Sequence, residues 1–125
     1  MKKIINTKKA PAPIGPYNQA VMINDTLYVS GQIPANPANG EIVKSDITAQ
    51  TKQVMENIKE ILKEAGMDFS NIIKCSIFIS SMKDFPTINE VYGSYFTEDF
   101  PARETIEVAG LPLGVDVEIS CIATI

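Results

Sequence analysis

Ile72-Ile73-Lys74-Cys75-Ser76-Ile77-Phe78-Ile79 is the stretch on which the architecture turns. It is rich in β-branched and apolar residues and bounded by polar turns, which makes it a strand. It is too apolar for a strand with one face in water, so it belongs in the middle of a sheet.

The segments on either side read as helices. Upstream, Ser45 or Asp46 caps a helix whose residues Ile47, Val54, Ile58, Ile61, Leu62 and Ala65 fall on one stripe at helical spacing. Lys52, Glu56, Lys59, Glu60 and Lys63 occupy the opposite face, and Gly66 is a natural stop. Downstream, Asp84 caps a second helix with Pro86 in its first turn. Phe85, Ile88, Tyr92, Tyr95 and Phe96 form its apolar stripe, and Thr97-Glu98-Asp99-Phe100-Pro101 breaks it.

Further strands complete the pattern. Arg103 to Val108 reads as a strand, and Gly110-Leu111-Pro112-Leu113-Gly114 as a turn. Val115, Val117, Ile119, Cys121, Ala123 and Ile125 then alternate with polar residues along a long last strand. Near the start, Lys8 to Pro16 is too rich in Pro and Gly for helix or central strand, so it forms an ordered arm. From Tyr17 the residues Tyr17, Gln19, Val21 and Ile23 alternate, and Thr26 to Ser30 follow Asn24-Asp25, a hairpin signature. Gly31-Gln32-Ile33-Pro34 ends the second strand, and Glu41-Ile42-Val43 offers a short extra one.

The order ββ(β)-α-β-α-β-β specifies an α+β domain spanning residues 1–125, a single mixed β-sheet with two helices packed on one face. Two helices cover only one face. The other still carries apolar side chains, so several copies of the chain are expected to close their sheets over one another.

Composition narrows the chemistry. The chain has no histidine, which excludes every histidine-based triad, dyad, zinc site and ribonuclease pair within it. No metal-ligand cluster, P-loop or dinucleotide glycine motif is present, so the reading needs no metal or cofactor. The net charge is −4, and Lys2, Lys3, Lys8 and Lys9 hold much of the positive charge in a solvated N-terminal end. Acidic residues dominate the remainder, which disfavours nucleic acid as a partner. The apolar run after Lys2-Lys3 is only Ile4-Ile5, too short for a signal peptide, and no stretch reaches membrane-span length. Cys75 and Cys121 lie in apolar strand runs and read as buried, reduced thiols of a cytoplasmic protein.

Against that background a few residues stand out. Arg103 is the only arginine in a chain that otherwise uses lysine. Its planar fork suits a carboxylate, which lysine cannot grip bidentately. Glu118, on the polar side of the last strand, is a candidate to orient or deprotonate a water. Tyr17 and Asn89 are hydrogen-bonding candidates, and Ser30-Gly31 at a strand end permits close backbone approach to a ligand. Taken singly, each also has a structural reading: a salt-bridged arginine, a solvated carboxylate, a packed tyrosine, an exposed asparagine and a bulge.

As a set they carry a resemblance. Ala12-Pro13-Ile14-Gly15-Pro16-Tyr17, Ser30-Gly31-Gln32-Ile33-Pro34, the helix Gln50 to Gly66, Asn89-Glu90-Val91-Tyr92, Phe100-Pro101-Ala102-Arg103, Glu107 to Pro112 and Val117-Glu118-Ile119 together resemble the RidA/YjgF family, also called the endoribonuclease L-PSP family. The resemblance implies a chorismate-mutase-like homotrimer with clefts between subunits. It also implies hydrolysis of 2-imino acids (2-iminopropanoate, 2-iminobutanoate) to 2-keto acids and ammonia. Arg103 matches the arginine that binds the substrate carboxylate, and Glu118 the glutamate that places the attacking water. Tyr17, Ser30, Gly31 and Asn89 match cleft positions. Thr105 stands where many deaminases of the family carry cysteine, and keeps a small hydrogen-bonding group. Glu104 is expected on the opposite face of its strand from Arg103. A non-catalytic binder of keto or amino acids would use the same Arg103 grip. The ribonuclease suggested by the family's older name is disfavoured by the charge and the missing histidine.

Overall fold

A computed structural model describes residues 1–125. Six strands form one sheet: β1 (Lys3–Ile5), β2 (Ala20–Ile23), β3 (Thr26–Gln32), β4 (Ile72–Ile79), β5 (Ala102–Glu107) and β6 (Val117–Thr124). Their order is β1-β2-β3-β6-β4-β5. β4 and β5 run parallel and every other pair is antiparallel, so the sheet is mixed. β4 has neighbours on both sides, as its apolar composition demands.

α1 (Ile47–Glu64) begins where the Asp46 side chain accepts the Ala49 N–H at 2.9 Å, and ends before Gly66, which takes φ 75°. It packs on β3 and β6. α2 (Phe85–Gly93) packs on α1 and is shorter than the apolar stripe suggests. After Gly93 the chain tightens into turns through Tyr95 N–H to Tyr92 C=O and Phe96 N–H to Gly93 C=O. Tyr95 and Phe96 still pack inward because they meet Phe69, with ring centroids 5.2 and 5.6 Å away.

The alternation of β6 separates two environments. Val117, Ile119, Cys121 and Ala123 are buried under the helices with Leu27, Val29, Ile77 and Ile79. The register places Ile4, Val21, Tyr28 and Ile122 in one row across the other face, and Phe78 beside Ile106 in another. Ile4, Tyr28 and Ile106 are exposed there, the uncovered apolar surface anticipated from the helix count. No helix is long and apolar enough to cross a membrane.

Three further details differ from the sequence reading. A strand β1 pairs with β2 ahead of the arm. The hairpin strand starts at Ala20 rather than Tyr17, because Tyr17 is turned back by its N–H bond to the Gly15 carbonyl at 2.8 Å. Ile42 makes only an isolated bridge with Ala35, since the Asn36–Gly40 loop folds on itself through Gly40 N–H to Asn36 C=O.

Candidate active site

The candidate residues form two groups. The first surrounds Glu118. The β3–β6 register shifts between Val29 and Gln32, and this irregularity brings Gly31 against the Glu118 side chain. A Cβ at Gly31 would lie 2.8 Å from Glu118 Cδ, so only glycine leaves space for the carboxylate there. Glu118 is partly buried on the open side of the sheet, opposite Phe78. Burial disfavours its charge and pushes its pKa above the ordinary carboxylate value.

Beside Gly31 opens a cavity of about 310 Å³, lined among others by Ser30, Tyr17, Ile14 and Leu113. The Ser30 hydroxyl donates to the Asn18 carbonyl at 2.7 Å, so it ties the arm to the strand as well as bordering the cavity. Tyr17 is half-exposed, and its hydroxyl accepts the Ile14 N–H at 3.4 Å.

A residue passed over in the sequence holds this wall in place. Gln19 is buried, donates to the carbonyls of Thr7, Ala10 and Pro11 and accepts the Thr7 N–H at 2.7 Å. Proline lacks an N–H, so a Pro-rich arm cannot tie itself down by a backbone ladder, and a side-chain amide supplies the bonds instead. A glutamine immediately after such an arm, facing inward in the strand pattern, was the available signal.

The second group surrounds Arg103. The β4–β5 register sets Arg103 beside Cys75, on the helix-covered face. The guanidinium carbon lies 5.2 Å from the Tyr92 ring centroid and 5.6 Å from that of Phe85, which confine it by cation–π contact. Nη1 donates to Asn89 Oδ1 at 2.6 Å. No Asp or Glu side chain comes within 4.0 Å of the guanidinium, so its charge is held in position without an internal anion. A depression of about 450 Å³ opens beside it, lined by Asn89, Tyr92, Gly93, Phe100, Pro101 and Arg103.

Thr105, two residues along β5 on the same face, has a buried hydroxyl with no hydrogen-bond partner. The Tyr92 hydroxyl is also buried and unpartnered. Burial pushes the Tyr92 phenol and the Cys75 thiol above their ordinary pKa values, so both are neutral beside the fixed guanidinium. Cys75 and Cys121 are free, buried and opposite each other on β4 and β6. Glu104 turns to the other face, where it accepts from the Ser76 hydroxyl and pairs with Lys74 at 3.2 Å, leaving Arg103 unneutralised.

Within one chain these groups do not meet. Arg103, Asn89 and Thr105 lie on the helix side at the β5 edge, whereas Glu118 and Gly31 lie together at the open side. A small ligand cannot touch Arg103 and Glu118 through a closed sheet. The Arg103 group offers a fixed cation with nearby hydroxyls, and the Glu118 group a proton acceptor beside a cavity.

Comparison with known proteins gives consistent matches along the chain. The family described as Endoribonuclease L-PSP matches residues 7–125. A Bos taurus protein named 2-iminobutanoate/2-iminopropanoate deaminase is 49% identical over 98% of this chain and 90% of its own. The Yersinia pestis protein YyfA of the conserved Rid protein family superposes with a TM-score of 0.98 at 47% identity, covering 100% of both chains. E. coli TdcF, solved with bound serine, gives a TM-score of 0.95 at 43% identity, covering 98% of each chain.

Proposed function

The chain belongs to the endoribonuclease L-PSP family, also called RidA/YjgF, and on that premise we propose that it hydrolyses 2-imino acids to 2-keto acids and ammonia in clefts between copies of itself. The observation that carries this reading is the Arg103 guanidinium, confined by Asn89, Phe85 and Tyr92 and matched by no internal carboxylate. Such a group is prepared for an external carboxylate. The relatives named as deaminases support an enzymatic role, and serine bound to TdcF supports a ligand bearing a carboxylate and an α-nitrogen.

The chemistry follows from the two groups. Arg103 takes the substrate carboxylate and so orients C2. Thr105, whose buried hydroxyl has no partner within the chain, follows two residues along the same face. Glu118 of an adjoining copy holds a water over the iminium carbon and accepts its proton as the C–O bond forms. The resulting carbinolamine carries hydroxyl and amino groups on C2. Glu118 returns the proton to nitrogen, the C–N bond breaks, and the hydroxyl proton is lost as the ketone forms. One water is consumed and one ammonia released, with no redox change. Positioning together with one acid–base group accounts for about 10²–10⁴-fold acceleration.

The test generates imine with a threonine dehydratase while semicarbazide competes for it. Added protein should divert imine from semicarbazide into keto acid. Tight keto-acid binding without faster imine loss would instead make the chain a binding module.

Two expected outcomes probe the arrangement. Light scattering on a sizing column should give about three times 13.7 kDa, because the uncovered sheet face with Ile4, Tyr28 and Ile106 needs a partner. A monomer at micromolar concentration would contradict the assembled cleft. Gly31→Ala should displace the Glu118 carboxylate and lower kcat/KM about a hundredfold, with the far-ultraviolet circular dichroism unchanged. Full activity would show that Glu118 need not occupy that position.

A further inference from the structure

We propose that the cavity beside Gly31 receives the side chain of the substrate, and that the chain prefers 2-imino acids with extended apolar side chains, such as that derived from leucine, with Leu113 setting this specificity. The inference rests on the imine-hydrolase reading and deepens it.

Three observations carry it. The first is size. At about 310 Å³ the cavity reaches the lower end of sites that enclose whole drug-sized ligands. The methyl or ethyl group of the smallest imino acids would meet only a small part of the wall that one chain offers. The second is lining and place. Pro11, Pro13, Ile14, Tyr17, Ile33 and Leu113 give it an apolar wall, and Gly31 forms part of that wall while touching Glu118. A substrate carbon attacked by water from Glu118 therefore has its substituent beside this wall. The wall is preformed, because Gln19 fixes the arm from Thr7 to Pro11.

The third is Leu113 itself. It adopts φ 56°, ψ 20°, a left-handed conformation that Gly or Asn takes readily and leucine does not. The residue is 65% exposed in the isolated chain. An apolar residue thus occupies a strained position and leaves its surface in water, at the mouth of an apolar cavity. Strain of this kind persists where the side chain has a task. Covering an apolar substituent is the task this position offers.

Imines are generated in the assay from L-alanine or L-leucine by an L-amino-acid oxidase, with semicarbazide as competitor. The leucine-derived imine should be hydrolysed with a kcat/KM roughly tenfold or more above the alanine-derived one. Leu113→Asn suits the backbone and removes the apolar contact. It should bring the ratio towards unity by lowering kcat/KM for the leucine-derived imine more than for the alanine-derived one, and should not lower Tm. Equal kcat/KM for the two imines in the unmodified protein would overturn the proposal. So would a Leu113→Asn variant that loses both activities equally or dissociates, which would make Leu113 an assembly contact. If neither imine is hydrolysed, the imine-hydrolase reading fails. Calorimetry with the two corresponding keto acids then decides the pocket. Tighter binding of the leucine-derived keto acid upholds the pocket, and equal or absent binding overturns it.

Discussion

Glu118→Gln is expected to lower kcat by about 10²–10⁴-fold while the chain folds and assembles as before. Glutamine keeps the shape and a hydrogen-bonding oxygen beside Gly31 but cannot accept the proton from water. The partial burial that raises the Glu118 pKa gives the substitution a second signature. A carboxyl whose folded pKa lies above its unfolded value adds stability below the unfolded pKa and loses it as pH rises through the folded one. At neutral pH the native protein therefore carries an ionised group that its surroundings disfavour. The Gln variant should melt slightly higher at pH 7, with the difference vanishing in acid. The same shift moves the acid limb of the kcat/KM profile upward from the ordinary glutamate value, and that limb should be absent from the residual activity of the variant. Full activity with an unchanged profile would leave Glu118 without a chemical role.

Arg103→Lys should lower kcat/KM for 2-imino acids roughly ten- to a hundredfold. The charge survives, but the planar fork does not, so the Asn89 contact and a paired grip on a carboxylate cannot form together. Losing one charge-assisted hydrogen bond is worth about 1.5–3 kcal/mol, which sets that range. Because no internal carboxylate depends on Arg103, Tm should move little. Measuring both on one preparation separates the possibilities. An active but thermally weakened lysine variant would make Arg103 a structural residue.

The two substitutions show where the sequence was informative. Local chemistry determined what could be read. Asp46 and Gly66 bracket α1 because one side chain caps the first turn and the other residue tolerates positive φ. Asn24 marks the hairpin for the same reason, at φ 51°. Alternation along β6 separates Glu118 from the buried Val117 and Ile119, and alternation along β5 separates Glu104 from Arg103. The family resemblance named the candidate site residues, which periodicity alone would have left among other polar groups.

What escaped depends on distant partners. β1 exists because Lys3 to Ile5 reach β2 across an arm fastened by Gln19, and nothing in three residues announces that pairing. β6 inserts between β3 and β4, an order fixed by packing rather than by any local motif. Each strand shows which of its residues share a face, but not which face that is relative to another strand. Only the Cys75–Arg103, Cys75–Cys121 and Phe78–Glu118 pairings reveal that the arginine and the glutamate point to opposite sides.

That opposition is the centre of the account, since it requires two copies to build one site. Mixing tests it directly. Arg103→Ala and Glu118→Gln proteins, each strongly slowed, are unfolded together in equal amounts and refolded. In randomly assembled trimers, about a quarter of the clefts pair an intact Arg103 from one copy with an intact Glu118 from its neighbour. The account predicts recovery of about that fraction of the native kcat, with no recovery when either variant is refolded alone. A mixture as inactive as its components, despite confirmed mixed trimers, would place both residues in a site made by a single chain and contradict it.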